Sequence, residues 1–345
     1  MKGRRIHRFS AKEQENEPQT KKHDPNDFPP LRRIIRIFPK RPAKNDVDER
    51  KAPRPSWQSE AVYPFDSLHF REGEQPLYAF DHLVHLVHDP KKAMEALRKC
   101  GIQAVEGGSH SDWGTFNTLC YFDLSYIEYL GVENPAVAEK ARDNPLVHQA
   151  LEDLAHGEGP ARIALRTDNL EEASRLLEEQ GWRMNGPFPG RRIRPDGSVL
   201  RWTLMFPEWP DGELPPPFLI QWEQTDEERR RDLQLRKAMM PHPAGDLRLK
   251  HIAFTVQNLG RAAEWEKGFG LRPGKEYVDM ELNAVCRELK LMGGHLLFCA
   301  PIGDGPVQRI LQKRGERPFL VSFSGAERDE DWSILGGIYR LIRDP

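Results

Sequence analysis

Apolar and polar positions alternate with a period of two at three places in this chain, and each stretch runs into a segment of helical period. The copies read FDHLVHLVHDPKKAMEALRKCGI (80–102), ARIALRTDNLEEASRLLEEQGW (161–182) and LKHIAFTVQNLGRAAEWEKGFGL (249–271). The alternation predicts half-buried strands. A turn with Asp or Asn follows (Asp89, Asp168–Asn169, Asn258), then a helix ending at Gly101, Gly181 or Gly270, where glycine suits a helix C-terminus. Aligned in this way, His82, Arg162 and His251 share one position, 80 and 89 residues apart. A unit of this size cannot cover its own small sheet, so units must pair. The expectation is an α+β protein of tandem βαβββ modules.

The same pattern sets the organisation. Residues 1–76 read as a basic extension, 77–225 as two modules, 226–246 as a charged linker, and 247–345 as a third module with a truncated fourth. A second repeat supports the last assignment. HQALEDLAHGEGPARIALRT (148–167) and QRILQKRGERPFLVSFSG (308–325) share a short helix, a Gly-Glu turn and a strand. The fourth module therefore begins with a strand at 318–323, passes an acidic loop, and ends in a helix over 332–342, without its last three strands.

Charge alters the picture at the N-terminus. The net charge of −2 hides 16 Lys/Arg against 9 Asp/Glu in residues 1–60, and 35 against 44 in the remainder. Poor in core-forming residues, the extension reads as disordered; a basic arm of this kind could also contact nucleic acid. Within it, PPLRRIIRIFPKR (29–41) places Leu31, Ile34, Ile35 and Phe38 at helical spacing, as in an amphipathic helix. No apolar run reaches the roughly 20 residues of a membrane span. The start, MKGRRIHRF, lacks the apolar core of a signal peptide. Cys100, Cys120, Cys286 and Cys299 form no CxxC pair, which argues for free thiols in a reducing cytoplasm and against zinc held by cysteine. The motifs GxGxxG, GxSxG, HExxH and the Walker loop are absent, so nucleotide-binding, serine-hydrolase and zincin functions lack support.

Modules of this kind, with a histidine near the start of the first strand, resemble the vicinal oxygen chelate superfamily. EGGSHSDWGTFNTLCYFDLSYIEYLGVENP (106–135) and RRIRPDGSVLRWTLMFPEWPDGELPPPFLIQWEQ (191–224) are similar to segments of its glyoxalase-like proteins. The resemblance implies paired modules whose sheets form cup-shaped half-barrels, with a divalent metal at the base held from the first and last strands. Carried over, it implies His82 and Glu128 from module one, and Arg162 and Gln221 from module two. Histidine, carboxylate and amide suit Zn, Ni, Mn or Fe. Arginine offers only donors and is no ligand. Arg162 would instead clamp an anion, or pair with Glu128 in place of a metal.

Around the cup, His110 and Asn117 can donate to a substrate oxygen, with His110 or Glu128 moving a proton. Arg194, Asp196 and Arg201 surround a turn beside the cup, where Arg194 and Arg201 would contact substrate, or an Asp–Arg pair would only pin the loop. Trp202 and Trp222 offer an aromatic wall. The resemblance thus implies a small oxygenated ligand and, with a metal on His82, Glu128 and Gln221, lyase or isomerase chemistry. A metal-free binding protein using Arg162 is the alternative. If modules one and three paired instead, His82, His251 and Glu128 would form a set of the non-haem iron dioxygenase type.

Overall fold

A computed structural model describes residues 77–194, 196–209 and 214–344. The expectations for the N-terminal extension, including the helix at 29–41, lie outside the described residues. Module one comprises β1 (Ala79–Leu86), α1 (Pro90–Lys99), β2 (Val105–His110), β3 (Thr115–Phe122) and β4 (Ser125–Val132). Two connecting helices, α2 (Pro135–Lys140) and α3 (Pro145–His156), lead to module two. That module comprises β5 (Gly159–Arg166), α4 (Leu170–Glu179), β6 (Arg183–Ile193), β7 (Val199–Glu208) and β8 (Phe218–Trp222). After α5 (Asp226–Leu235) come β9 (Gly245–Thr255), α6 (Gly260–Gly268), β10 (Arg272–Asp279), β11 (Ala284–Lys290) and β12 (His295–Pro301). The last elements are α7 (Pro306–Arg314), β13 (Arg317–Ala326), β14 (Glu330–Ile334) and β15 (Gly337–Arg343).

The turn chemistry acts as the repeat predicts in the first two copies, while α6 has no side-chain cap. Asp89 and Asn169 accept hydrogen bonds from the first free backbone N–H groups of α1 and α4. Gly101, Gly181 and Gly270 follow their helices at positive φ. Modules one and two close into a barrel in the order β1-β4-β3-β2-β6-β7-β8-β5, and the remaining strands form a seven-stranded sheet, β10-β11-β12-β9-β13-β15-β14. Sequential modules therefore pair. The dioxygenase-type set is not assembled, because His251 lies in the second sheet, with Glu288 at 2.8 Å from its Nε2.

The end of the chain differs from expectation. No helix forms over 332–342; β14 and β15 make a hairpin there, with β15 parallel to β13. Leu335 and Gly336 both take positive φ, the backbone of a tight hairpin turn. Trp332, Ile334, Ile338, Tyr339 and Leu341 favour strands, and the double glycine marks the turn; the repeat's analogy to a helix concealed this. Relative to a full module, the fourth lacks the helix and one strand.

One apolar core joins the two sheets: Phe80, Leu83 and Ile127 of the barrel share it with Phe254, Val321 and Phe323. Phe122 meets Phe323 at 4.5 Å between ring centroids. A second cluster, with Val84, Leu130, Trp202, Phe206 and Phe218, fills the barrel interior. Each such side chain contributes about 1.5–3 kcal/mol by leaving water. The four cysteines are buried and free.

Candidate functional site

The strand registers define which positions correspond between the modules. β1 and β5 pair antiparallel, with His82 opposite Ala164 and Val84 opposite Arg162. Exchanging the two modules converts one pair into the other, so Arg162 is the counterpart of His82, as aligned. β4 sets Glu128 beside Val84, and β8 sets Phe218 beside Ala164. The counterpart of Glu128 is therefore Phe218, three residues before Gln221. Gln221 does not face the cup. Its Oε1 accepts the backbone N–H of Leu170 at 2.9 Å and caps α4 on the outer face of the sheet. The similarity of LIQWE to YIEYL is out of register, and Gln221 is withdrawn as a metal ligand.

At the cup's base, His82 and Glu128 meet across neighbouring strands, with Nε2 and Oε2 3.5 Å apart. Both are buried. His82 Nδ1–H donates to Asp81 Oδ1 at 2.7 Å, and Asn117 Nδ2 donates to Glu128 Oε1 at 2.5 Å. Tyr126 stacks on the His82 ring at 4.6 Å and Phe218 meets its edge at 5.4 Å. Asp81 also accepts from Trp222 Nε1 at 2.9 Å and from Arg229 Nη1 at 3.2 Å. Burial alone would raise the Asp81 pKa, but Arg229, the His82 hydrogen bond and Arg166 hold it well below the usual carboxylate range. Adjacent strand residues normally face opposite ways. A register shift between Phe80 and His82 lets Asp81 reach the ring that follows it.

His110 lines the same cavity. Its Nδ1 donates to Thr115 Oγ1 at 2.9 Å and its Nε2 accepts from Asn117 Nδ2 at 3.4 Å. Burial, with the nearby Arg192 charge, pushes its pKa down to about 3, so the ring is neutral in ordinary buffers. Gly107 makes room for the Asn117 amide, since a Cβ there would lie 2.0 Å from Oδ1.

Trp113, Trp202 and Trp222 form one wall of the cavity. The other expected contacts lie elsewhere. Arg194 donates to Asp232 at 2.7 Å and to Ser198, tying the β6–β7 turn to α5. Arg201 is exposed, because outward and inward residues alternate along β7. The alternative Asp–Arg pair within the turn does not form either; Asp196 pairs with Arg236 of the segment after α5. Neither arginine lines the cavity. Arg162 forms no ion pair with Glu128; its Nε donates to the Pro216 carbonyl at 2.8 Å and its guanidinium lies over the Phe206 ring. Burial lowers its pKa to about 10. Asp81, Trp113, Arg192 and Arg229 were not anticipated. Period-two reading of β6 would have turned Arg192 inward, since Gly190 and Arg192 are buried between exposed neighbours.

A divalent metal would find His82 Nε2, oriented by a carboxylate as metal-bound histidines commonly are, and Glu128 beside it. Module two offers Arg162 and Phe218 at the matching positions, neither a ligand. Among the described residues no group of three or more His, Cys, Asp or Glu side chains is arranged to hold a metal. The donor set does not fit the four-ligand centre that the resemblance implies.

The fold and this half-retained cup define a class. A family model described as the glyoxalase-like domain matches residues 80–269, more than half of the chain, and the chain belongs to that family. Among solved structures, a hypothetical protein from Staphylococcus aureus is similar at 23% identity with a TM-score of 0.64, covering 77% of this chain and 99% of its own. It establishes the same fold across both sheets. 4-Hydroxymandelate synthase from Streptomyces coelicolor matches at 14% identity and TM-score 0.49, over 72% of this chain and 71% of its own. Methylmalonyl-CoA epimerase from Mycobacterium tuberculosis matches at 20% identity and TM-score 0.32, over 44% and 93%. A comparison with curated proteins gave no match. No helix among the described residues is long and apolar enough to cross a membrane.

Proposed function

We propose that the cup of modules one and two binds a small oxygenated molecule and moves a proton at a carbon next to its carbonyl, with Glu128 as the base. One observation carries this reading: a buried histidine–carboxylate pair faces a cavity while its outer atoms are held by Asp81 and Asn117. Groups fixed in this way need no reorganisation when charge develops. The 3.5 Å gap exceeds a strong hydrogen bond, leaving both groups available to a ligand. In the step, the C–H bond breaks, its proton passes to Glu128, and the electron pair moves onto the carbonyl oxygen as an enolate. His82, its Nδ1–H on Asp81, stands beside that oxygen as the partner that donates from Nε2 when protonated. Return of the proton from Glu128 completes an exchange or, at a neighbouring carbon, an isomerisation.

The reading is tested by following deuterium from solvent into pyruvate, 2-oxobutyrate, acetone and dihydroxyacetone by NMR. Wild-type protein should label at least one of them, and Glu128→Gln should lose about 10²–10⁴-fold of that rate. Absence of labelling across the panel, or equal rates in the variant, would sink the proposal.

A further inference from the structure

The geometry points to a small carboxylate as the cup's ligand, with Arg192 as the residue that binds it. This deepens the reading of the cup as a binding and proton-transfer site, and rests on it. Arg192 lies on β6 in the cavity wall, 6% exposed. Its Nε is buried without a hydrogen-bond partner, and the guanidinium forms no ion pair among the described residues. The other interior arginines are answered from within the protein: Arg229 by Asp81, Arg166 by Asp226 and the Phe80 carbonyl, Arg162 by the Pro216 carbonyl. A buried cation without a partner is strongly unfavourable. It is understandable where a ligand brings the anion.

The position is also built. Gly108, at φ +138°, allows the Arg192 stem to pass; a Cβ there would come 3.3 Å from Cγ, 3.5 Å from Cδ and 2.5 Å from the Ile193 carbonyl oxygen. Glu128, the carboxylate among the residues lining the cavity, forms no ion pair with Arg192; it lies beside His82 and accepts from Asn117. A guanidinium fork matches a planar carboxylate through two parallel hydrogen bonds. The tryptophan wall then receives a small flat or branched apolar body. A 2-oxo acid meets these demands, and carries its carbonyl and its exchangeable C–H on the same short chain.

Calorimetric titration of the full-length protein with benzoate and benzamide, equal in shape and unlike in charge, tests the inference. Benzoate should bind at least about tenfold more tightly. Arg192→Met should abolish that preference, and Arg192→Lys should keep only part of it. Equal binding of the two probes by the wild-type protein overturns the inference without any variant, so a misfolded Arg192→Met would not protect it. Unchanged preference in a folded Arg192→Met also overturns it, as does failure of benzoate, pyruvate and 2-oxobutyrate all to bind at millimolar concentration. The two proposals fail separately. Arg192-dependent selectivity without deuterium exchange removes the chemistry and leaves the ligand class. Exchange into acetone as fast as into pyruvate removes the ligand class and leaves the chemistry.

Discussion

Asp81 is the residue on which the site turns, and it is the one that alternation hides. Its carboxylate is fully buried and accepts from His82, Trp222 and Arg229. Asp81→Asn would leave Arg229 with only Asp226, at 3.7 Å, as a charge partner and weaken the hold on His82 and Trp222. We therefore expect a loss of about 1–3 kcal/mol in urea unfolding. Because its pKa is depressed in the folded state, Asp81 adds stability above the ordinary carboxylate pKa and gives it up as pH falls below that value. His85 and His110 act over a higher window. Burial lowers both pKa values to about 3, so between pH 6.5 and about 3 the unfolded chain binds protons that the native rings refuse. Stability should therefore fall with pH across that window, by on the order of a few kcal/mol per ring at its lower end. His110→Gln, melted at pH 4.5 and 7, should show a smaller difference than wild type; an equal difference contradicts the assignment. At this scale the sequence made His82, Glu128, His110 and Asn117 legible through periodicity and resemblance. It misled at Gln221, where similar letters outweighed strand register.

At the scale of elements, the three strand–helix phrases were legible because alternation and a terminal glycine agree in all three, and an Asx cap in the first two. The last hairpin was not, because a partial repeat suggested a helix where local composition favours strands. The sequence reads α5 as part of a charged linker, yet Arg229 on it is 4% exposed and reaches Asp81. The element that closes the barrel is the β2–β6 seam, where Ser109 pairs with Ile193. Gly108→Ala would place a methyl group against the Ile193 carbonyl at a φ that L residues avoid. We expect about 1–3 kcal/mol of destabilisation in thermal melts and a weakened preference for benzoate, because the Arg192 stem would shift with the seam. A stable variant with unchanged selectivity would show that the seam does not position Arg192.

The whole molecule joins two sheets through one core and one buried polar relay. Tyr129 donates to Tyr339 at 2.8 Å, Tyr339 meets His85 Nδ1 at 2.7 Å, and His85 Nε2 donates to the Leu335 carbonyl. Phe323→Ala should cost about 3–5 kcal/mol, and fluorescence and circular dichroism should report one coincident transition; separated transitions would mean that the sheets unfold independently. Symmetry at this scale also exposes what has changed: module one keeps His82 and Glu128, while module two presents Arg162 and Phe218. The central claim is that module one's pair transfers the proton without a four-ligand metal centre. Solvent-deuterium exchange into pyruvate and 2-oxobutyrate by chelator-treated protein, wild type beside Glu128→Gln, tests it most directly. The account predicts an undiminished wild-type rate and a loss of about 10²-fold or more in the variant. Exchange that stops with the chelator and returns with one equivalent of a divalent metal would contradict it.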